Sequence, residues 1–329
     1  MKVIIIAEAG VNHNGKLKIA KKLVDVAKLS NADYVKFQSF SYDKLVTNKA
    51  VKANYQKSFS KKNETQQEML KSLQLSISDQ KQLINYCKKK KIKFLSTAFD
   101  IDNLKFLLKN NVDFIKVPSG EITNLPLLKF IRSKKKKILL STGASNLNEI
   151  TSALKVIKNN KRTTILQCNS AYPTPTKDVN LNILNTFSKK FRCDVGLSDH
   201  SLSTVIPAAA VALGAKVIEK HFTLSRKLSG PDHKSSLEPK ELIEMIKNIR
   251  EVEVSLGKFE KTVSISEKEN RKVIRKSLVA FKNINKGDKF SKNNITAKRP
   301  AGGICPMKIG KILGKTAKRD FKTDEMIKI

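Results

Sequence analysis

Short apolar runs alternate with amphipathic stretches eight times along the first three quarters of the chain, and few architectures accept that pattern. The expected strands are 3–8, 34–38, 93–97, 112–117, 138–142, 164–168, 194–198 and 216–220. Each is a near-continuous apolar run, as parallel strands covered on both faces must be. The expected helices are 17–29, 64–72, 78–89 with Ser78 as N-cap, 102–108, 125–131, a segment from an Asn146 cap to Val156, 181–187, 203–213 and 239–256. Eight such units predict an α/β fold, a closed (β/α)8 TIM barrel over residues 1–257, with an open doubly wound sheet as the alternative. Residues 39–63 form a long polar insertion, and loops of that length usually carry function.

After Gly257 the periodicity stops. Residues 258–271 are polar and charged and are expected to be a partly helical linker. From 272 to 329, short apolar runs broken by Lys286-Gly287-Asp288 and Ala301-Gly302-Gly303 predict a compact, β-rich second domain. Its expected extended pieces are 277–280, 295–298 and 326–329.

The formal net charge is +36, which raises the question of a nucleic-acid partner. Only nine of the 65 basic residues are Arg, the side chain suited to forked phosphate and base contacts. The lysines are spread along the whole chain, and the runs Lys88–Lys91 and Lys134–Lys137 fall where helices should end and complement their dipoles. The pattern favours a lysine-rich surface over a dedicated nucleic-acid role. No stretch approaches the roughly 20 apolar residues of a membrane span. The first residues, too soon charged for a signal peptide, are expected to be a strand. Cys87, Cys168, Cys193 and Cys305 are widely spaced without a CxxC pair, which predicts reduced thiols and a cytoplasmic protein.

There are four histidines, and three of them, His200, His221 and His233, lie close together in the chain, with His13 apart. His200 and His221 each close an expected strand, and barrel strands aim their last side chains at one site. They are candidate ligands of a divalent metal; the alternative is that they cap strands through hydrogen bonds. Other polar residues close the remaining strands: Glu8, Lys36, Gln38, Thr97, Lys116, Ser119, Thr142, Tyr172, Ser198 and Asp199. A core-facing strand has no reason to end in Lys, because an unpaired buried charge is expensive. Two such lysines with hydroxyl donors make an anion site for a phosphate or carboxylate.

Nine segments carry a resemblance. They are Ala7-Glu8-Ala9-Gly10-Val11-Asn12-His13-Asn14-Gly15, Val35-Lys36-Phe37-Gln38, Phe94-Leu95-Ser96-Thr97, Lys116-Val117-Pro118-Ser119-Gly120-Glu121, Leu140-Ser141-Thr142-Gly143, Tyr172-Pro173-Thr174-Pro175, Gly196-Leu197-Ser198-Asp199-His200, Glu219-Lys220-His221-Phe222 and Gly230-Pro231-Asp232-His233. In this order they resemble the sialic acid synthase family, and Lys298-Arg299-Pro300 with Gly303-Ile304 resembles its C-terminal antifreeze-like (SAF) domain. The resemblance implies a transferase that condenses phosphoenolpyruvate with an N-acetylated hexosamine. The reading it supports first is N-acetylneuraminate synthase acting on N-acetylmannosamine. The alternative is N,N'-diacetyllegionaminate synthase acting on a 2,4-diacetamido-2,4,6-trideoxy hexose; a pseudaminic acid synthase fits less well.

The resemblance also implies roles. His200 and His221 would hold the metal, Mn2+ first, with Mg2+ or Co2+ as alternatives. Lys36, Thr97, Lys116, Ser119, Ser170 and Ser198 would hold phosphoenolpyruvate. Glu8, Gln38, Tyr172 and Asp232 would contact the sugar. The condensation chemistry itself makes Glu121, then Glu8, candidates for steering protons and water, with Lys116 and Lys36 stabilising carboxylate and phosphate charge. Arg299 would reach into the partner's barrel in a domain-swapped homodimer. Three positions depart from the family pattern: Ser170 in place of Asn, Ala144 in place of Met, and Ala301 in place of Gly.

Overall fold

The computed structural model describes residues 2–57 and 64–329. Eight parallel strands close into a barrel in sequence order: β1 (Ile4–Gly10), β2 (Tyr34–Ser39), β3 (Lys93–Ala98), β4 (Phe114–Val117), β5 (Lys137–Ser141), β6 (Thr163–Cys168), β7 (Asp194–Asp199) and β8 (Val217–His221). β8 returns to pair with β1, from Ile4 against Val217 to Glu8 against His221, so the open-sheet alternative is excluded. Between β1 and β2 runs α1 (Leu17–Leu29). The excursion from β2 to β3 holds α2 (Tyr42–Leu45), α3 (Asn54–Lys57), α4 (Gln66–Leu73) and α5 (Ile77–Lys90). Then come α6 (Ile101–Lys109), α7 (Leu125–Arg132), α8 (Leu147–Ile157), α9 (Ile183–Phe191), α10 (Ile206–Ala212) and α11 (Pro239–Ser255).

The strand period of two sorts each strand into an outer and an inner row. Outward residues such as Ile5, Ala7, Val35, Ile115, Val117, Leu140 and Ile218 pack on the helices in one continuous core. Inward residues Ile6, Tyr34, Leu95, Phe114, Leu139, Leu166 and Val217 fill the barrel as an apolar plug. At Gly196 a Cβ would stand 2.4 Å from the Val217 carbonyl oxygen and 2.6 Å from Leu166 Cδ2, so only glycine fits there. One inward step above the plug the row turns polar: Glu8, Lys36, Thr97, Lys116, Ser141, Cys168, Ser198 and Glu219. The apolar plug closes the floor beneath these groups.

Element ends differ from expectation where side-chain caps decide them. Ser76, not Ser78, caps α5: its side chain accepts from the Asp79 amide. Thr65 and Glu68 form a capping box that starts α4, and Asp100 caps α6. Asn146 caps α8 as expected, again with a capping box. Lys88, Lys89 and Lys90 do end a helix, but Lys134–Lys136 follow α7 and Lys137 already belongs to β5. Thr142 does not close β5 towards the interior; its hydroxyl donates to the Leu166 carbonyl, and Ser141 takes the inward position. Within the polar insertion, 58–63 lie outside the described residues.

The chain divides into compact units Met1–Gly257 and Lys258–Ile329. In the second unit, α12 (Lys268–Ile274) covers the end of the stretch expected to be a linker. β9 (Ser277–Ala280) and β10 (Ile295–Lys298) pair antiparallel. Leu278, Ala280, Ile284, Phe290, Ile295, Ile312, Phe321 and Ile327 form its core. The expected strand at 326–329 is reduced to a single bridge between Val279 and Met326, because that segment pairs at one residue only. Among the described residues no helix is long and apolar enough to cross a membrane.

Candidate active site

The polar row and the loops above it line one cavity of about 240 Å3. On one side stand the two lysines. Lys36 Nζ lies 2.8 Å from Glu8 Oε2 and donates to Thr97 Oγ1 at 2.7 Å. Lys116 Nζ donates to Ser141 Oγ at 2.7 Å. Glu219 lies between them, 3.7 Å from Lys36 and 3.5 Å from Lys116, and accepts from the Ser198 hydroxyl at 2.9 Å. Burial opposes the charge on Glu219, but Lys116, Lys36 and Ser198 together hold its carboxyl below the ordinary value. Burial and the neighbouring Glu219 charge push Glu8 up to about 7, against the pull of Lys36. The same burial lowers Lys116.

Beside the lysines the backbone opens a second set of donors. The Gly143 amide donates to Ser119 Oγ at 2.9 Å. A Cβ on Gly143 would stand 2.3 Å from Ser170 Oγ and 2.8 Å from Ser119 Oγ, so its absence lets the two hydroxyls converge. Two lysines and the five hydroxyls of Thr97, Ser119, Ser141, Ser170 and Ser198 around one void are the composition of a phosphate or carboxylate site.

The opposite side is imidazole and aromatic. His200 and His221 cross edge to face with ring centroids 5.2 Å apart. The Asn169 carbonyl lies 2.6 Å from His200 Nδ1 and can only accept, so Nδ1 carries a proton and Nε2 is the nitrogen left for a metal. His221 Nδ1 is buried with no hydrogen-bond partner among the described residues. Burial, with His200 and the lysines nearby, holds His221 well below its ordinary value, hence neutral. Tyr172 lies flat on His200 at 4.1 Å and edge-on to His221 at 5.8 Å. Asp232 Oδ2 is 3.8 Å from His221 Nδ1, and burial pushes its carboxyl up to about 6. Gly10, at φ +52°, lets β1 end against His221, Asp232 and Gln38, all within 3.4 Å of where its Cβ would be.

Against burial, Cys168 and the Asn169 carbonyl raise His200 above its ordinary value, so a metal there would displace a proton. With that, His200 on its carbonyl and neutral His221 with its orphaned buried nitrogen fit a borderline divalent metal. Among the described residues no group of three or more His, Cys, Asp or Glu could hold a metal, so such an ion would take its remaining positions from substrate and water.

The structure brings Glu8, Lys36, Gln38, Thr97, Lys116, Ser119, Ser170, Tyr172, Ser198, His200, His221 and Asp232 to this one cavity. It does not bring Glu121 there. That side chain sits in the turn after β4 and accepts from Asn124 Nδ2 at 2.5 Å, because the turn leads the chain away into α7. Arg299 lies in the second unit, just after β10, with its side chain exposed. Sequence reasoning passed over Glu219, although it stands two residues before His221 and so shares its face. It also passed over Ser141 and Cys168, for which the same step from Leu139 and Leu166 was the available signal.

Residues 23–261 match the NeuB family model, and residues 275–329 match the SAF domain. The chain belongs to the NeuB family. It is therefore an enzyme, a transferase of the nonulosonic acid synthase class. It is 48% identical to the N,N'-diacetyllegionaminic acid synthase of Campylobacter jejuni, over 99% of both chains. It is 42% identical to the protein of the same name from Legionella pneumophila, over 95% of this chain and 90% of that one. Among solved structures, the N-acetylneuraminic acid synthetase of Leptospira borgpetersenii matches with a TM-score of 0.74 at 32% identity, over 82% of this chain and 90% of that one.

Proposed function

We propose that this NeuB-family protein condenses phosphoenolpyruvate with 2,4-diacetamido-2,4,6-trideoxymannose and water to give N,N'-diacetyllegionaminate and phosphate. The carrying observation is one cavity in which the Lys36–Lys116 donor set faces the His200–His221 pair. The relatives at 48% and 42% identity favour the trideoxy sugar over N-acetylmannosamine, the substrate that the motifs alone suggested first.

In this reading Lys36, Thr97, Lys116, Ser119, Ser170 and Ser198 hold the phosphate and carboxylate of phosphoenolpyruvate. Glu8, Gln38, Tyr172 and Asp232 hold the sugar, with its aldehyde end at the imidazoles. His200 and His221 would hold a divalent metal, Mn2+ for preference, which would supply Lewis-acid activation of the sugar's carbonyl. C3 of phosphoenolpyruvate bonds to the aldehyde carbon, and the new alkoxide takes a proton. Water adds at C2 and gives up one proton; the C2–O bond to phosphate then breaks as the C2 hydroxyl becomes the keto group and its remaining proton leaves with the phosphate. Glu8, whose carboxyl titrates near neutrality, suits proton transfer in either direction. Glu219, held as a carboxylate between the two lysines, keeps both cations inside the void. Glu121 could act on this chemistry only through water or a shift of its turn, so Glu8 takes precedence over it. Arg299 serves the partner subunit's site in a homodimer.

The test offers the purified protein phosphoenolpyruvate and Mn2+ with each sugar in turn, following phosphate release. Faster turnover of the trideoxy sugar supports the reading. Preference for N-acetylmannosamine returns it to N-acetylneuraminate synthase, and no release with either sugar sinks both.

A further inference from the structure

The cavity has a wall that the chemistry above does not use. Val11, Met69, Leu70, Leu73 and Phe99 also line it. With Phe40 and Leu45 they form a hydrophobic cluster of their own, separate from the barrel core and from the plug. Three of the five come from α4, inside the excursion between β2 and β3. The bland explanation is that these residues merely seat the excursion on the barrel, as satellite clusters under long connections often do. That accounts for Phe40 and Leu45. It does not account for five members lining the void that holds Lys36 and the two histidines.

The excursion is also docked onto the reacting centre. Tyr55, from α3, stacks on Tyr172 with centroids 5.0 Å apart and planes at 26°, and Tyr172 stacks in turn on His200. Tyr55 and its neighbour Gln56 line the same cavity. Three stacked rings thus run from α3 to the imidazole side.

We propose that α4 is the specificity element of the site, and that Met69, Leu70 and Leu73 with Phe99 receive the deoxy, methyl-ended part of the sugar. The inference rests on the reading of the reaction given above. A six-carbon chain held by its aldehyde at His200 and His221 has its far end elsewhere in the same small cavity. Phosphoenolpyruvate takes the cationic side, which leaves the apolar wall. A methyl group there is buried favourably, whereas a hydroxymethyl group loses water without gaining a partner. Discrimination of this kind reaches about 10- to 100-fold for one small group.

The test measures kcat/KM for the trideoxy sugar and for N-acetylmannosamine in the wild type and in two variants of the half-buried Leu70. Leu70→Asn introduces a polar group at the wall; Leu70→Ala only withdraws the apolar contact and keeps the test open should the first fold poorly. Thermal melting checks folding in both. The expected result is a wild type that prefers the trideoxy sugar, and a preference ratio that drops about tenfold in either variant, with the KM for phosphoenolpyruvate unchanged. An unchanged ratio in a folded variant, or a wild type that prefers N-acetylmannosamine, overturns the inference. Turnover of neither sugar by the wild type refutes the underlying reaction, and the inference falls with it.

Discussion

Lys220 and Asp199 form a buried ion pair, 2.6 Å apart, directly behind the two histidines. Each is the chain neighbour of one imidazole, pointing outward where the histidine points inward. Lys220 also donates to the backbone carbonyls of Ser201 and Ser203, and Asp199 accepts from the Ser201 amide at 2.9 Å. The pair thus fixes the turn that follows His200. Lys220→Met leaves a buried carboxylate unpaired and should cost about 3–5 kcal/mol. Denaturant unfolding should show that loss, and Lys220→Met with Asp199→Leu should recover part of it. Equal stability of the wild type and the single variant would refute the account.

Removal of either imidazole should abolish turnover without unfolding the barrel. His200→Ala and His221→Ala are expected to keep the native far-UV spectrum and to lose Mn2+ binding in a calorimetric titration. Chelation should silence the wild type, and added Mn2+, Co2+ or Mg2+ should restore it. Full activity in thoroughly demetallated protein would contradict the assignment.

Lys36→Ala and Lys116→Ala should each raise the KM for phosphoenolpyruvate and lower kcat, since both cations meet charge in ground and transition states. Lys36→Ala should be the less stable variant, because Glu8 then loses its 2.8 Å partner while Glu219 stays near. Steady-state kinetics and thermal melting report the two effects separately. Unchanged phosphoenolpyruvate binding in both variants would show the lysines to be misassigned.

Glu8 makes stability depend on pH in a predictable direction. Its folded value of about 7 lies above the ordinary 4.5, so the native state keeps a proton that the unfolded chain releases. Stability should therefore be full below about pH 4.5 for this group and fall as pH rises towards about 7. The whole effect is at most about 3 kcal/mol, because each tenfold change in proton affinity is worth roughly 1.4 kcal/mol. Unfolding of chelator-treated protein across this window should show the fall, and Glu8→Gln should flatten it. Parallel profiles for wild type and variant would refute the assignment.

Arg299 is the one candidate outside the barrel unit, and subunit mixing decides whether it acts in trans. Arg299→Ala and His200→Ala homodimers should each be nearly inactive. In a mixed dimer, one barrel keeps His200 and receives an intact Arg299 from its neighbour, so activity should return to about half of one wild-type dimer. Continued inactivity in mixtures shown to contain heterodimers would disprove exchange.

The strand period by itself determined the barrel and most of its site. Apolar runs repeated eight times predict eight strands covered on both faces, and most of the polar residues that close them, from Glu8 to His221, meet at one rim. Runs apolar on both faces do not say which of two neighbours turns inward, so Ser141 rather than Thr142 was decided by the closed barrel. What the sequence could not decide depends on contacts between distant segments. The path of the chain after β4 takes Glu121 off the cavity, and the paired cations keep Glu219 charged inside it. The apolar wall of the β2–β3 excursion is of the same kind. Met69 and Leu70 read as an ordinary helix face until the tertiary structure brings them to the cavity lining.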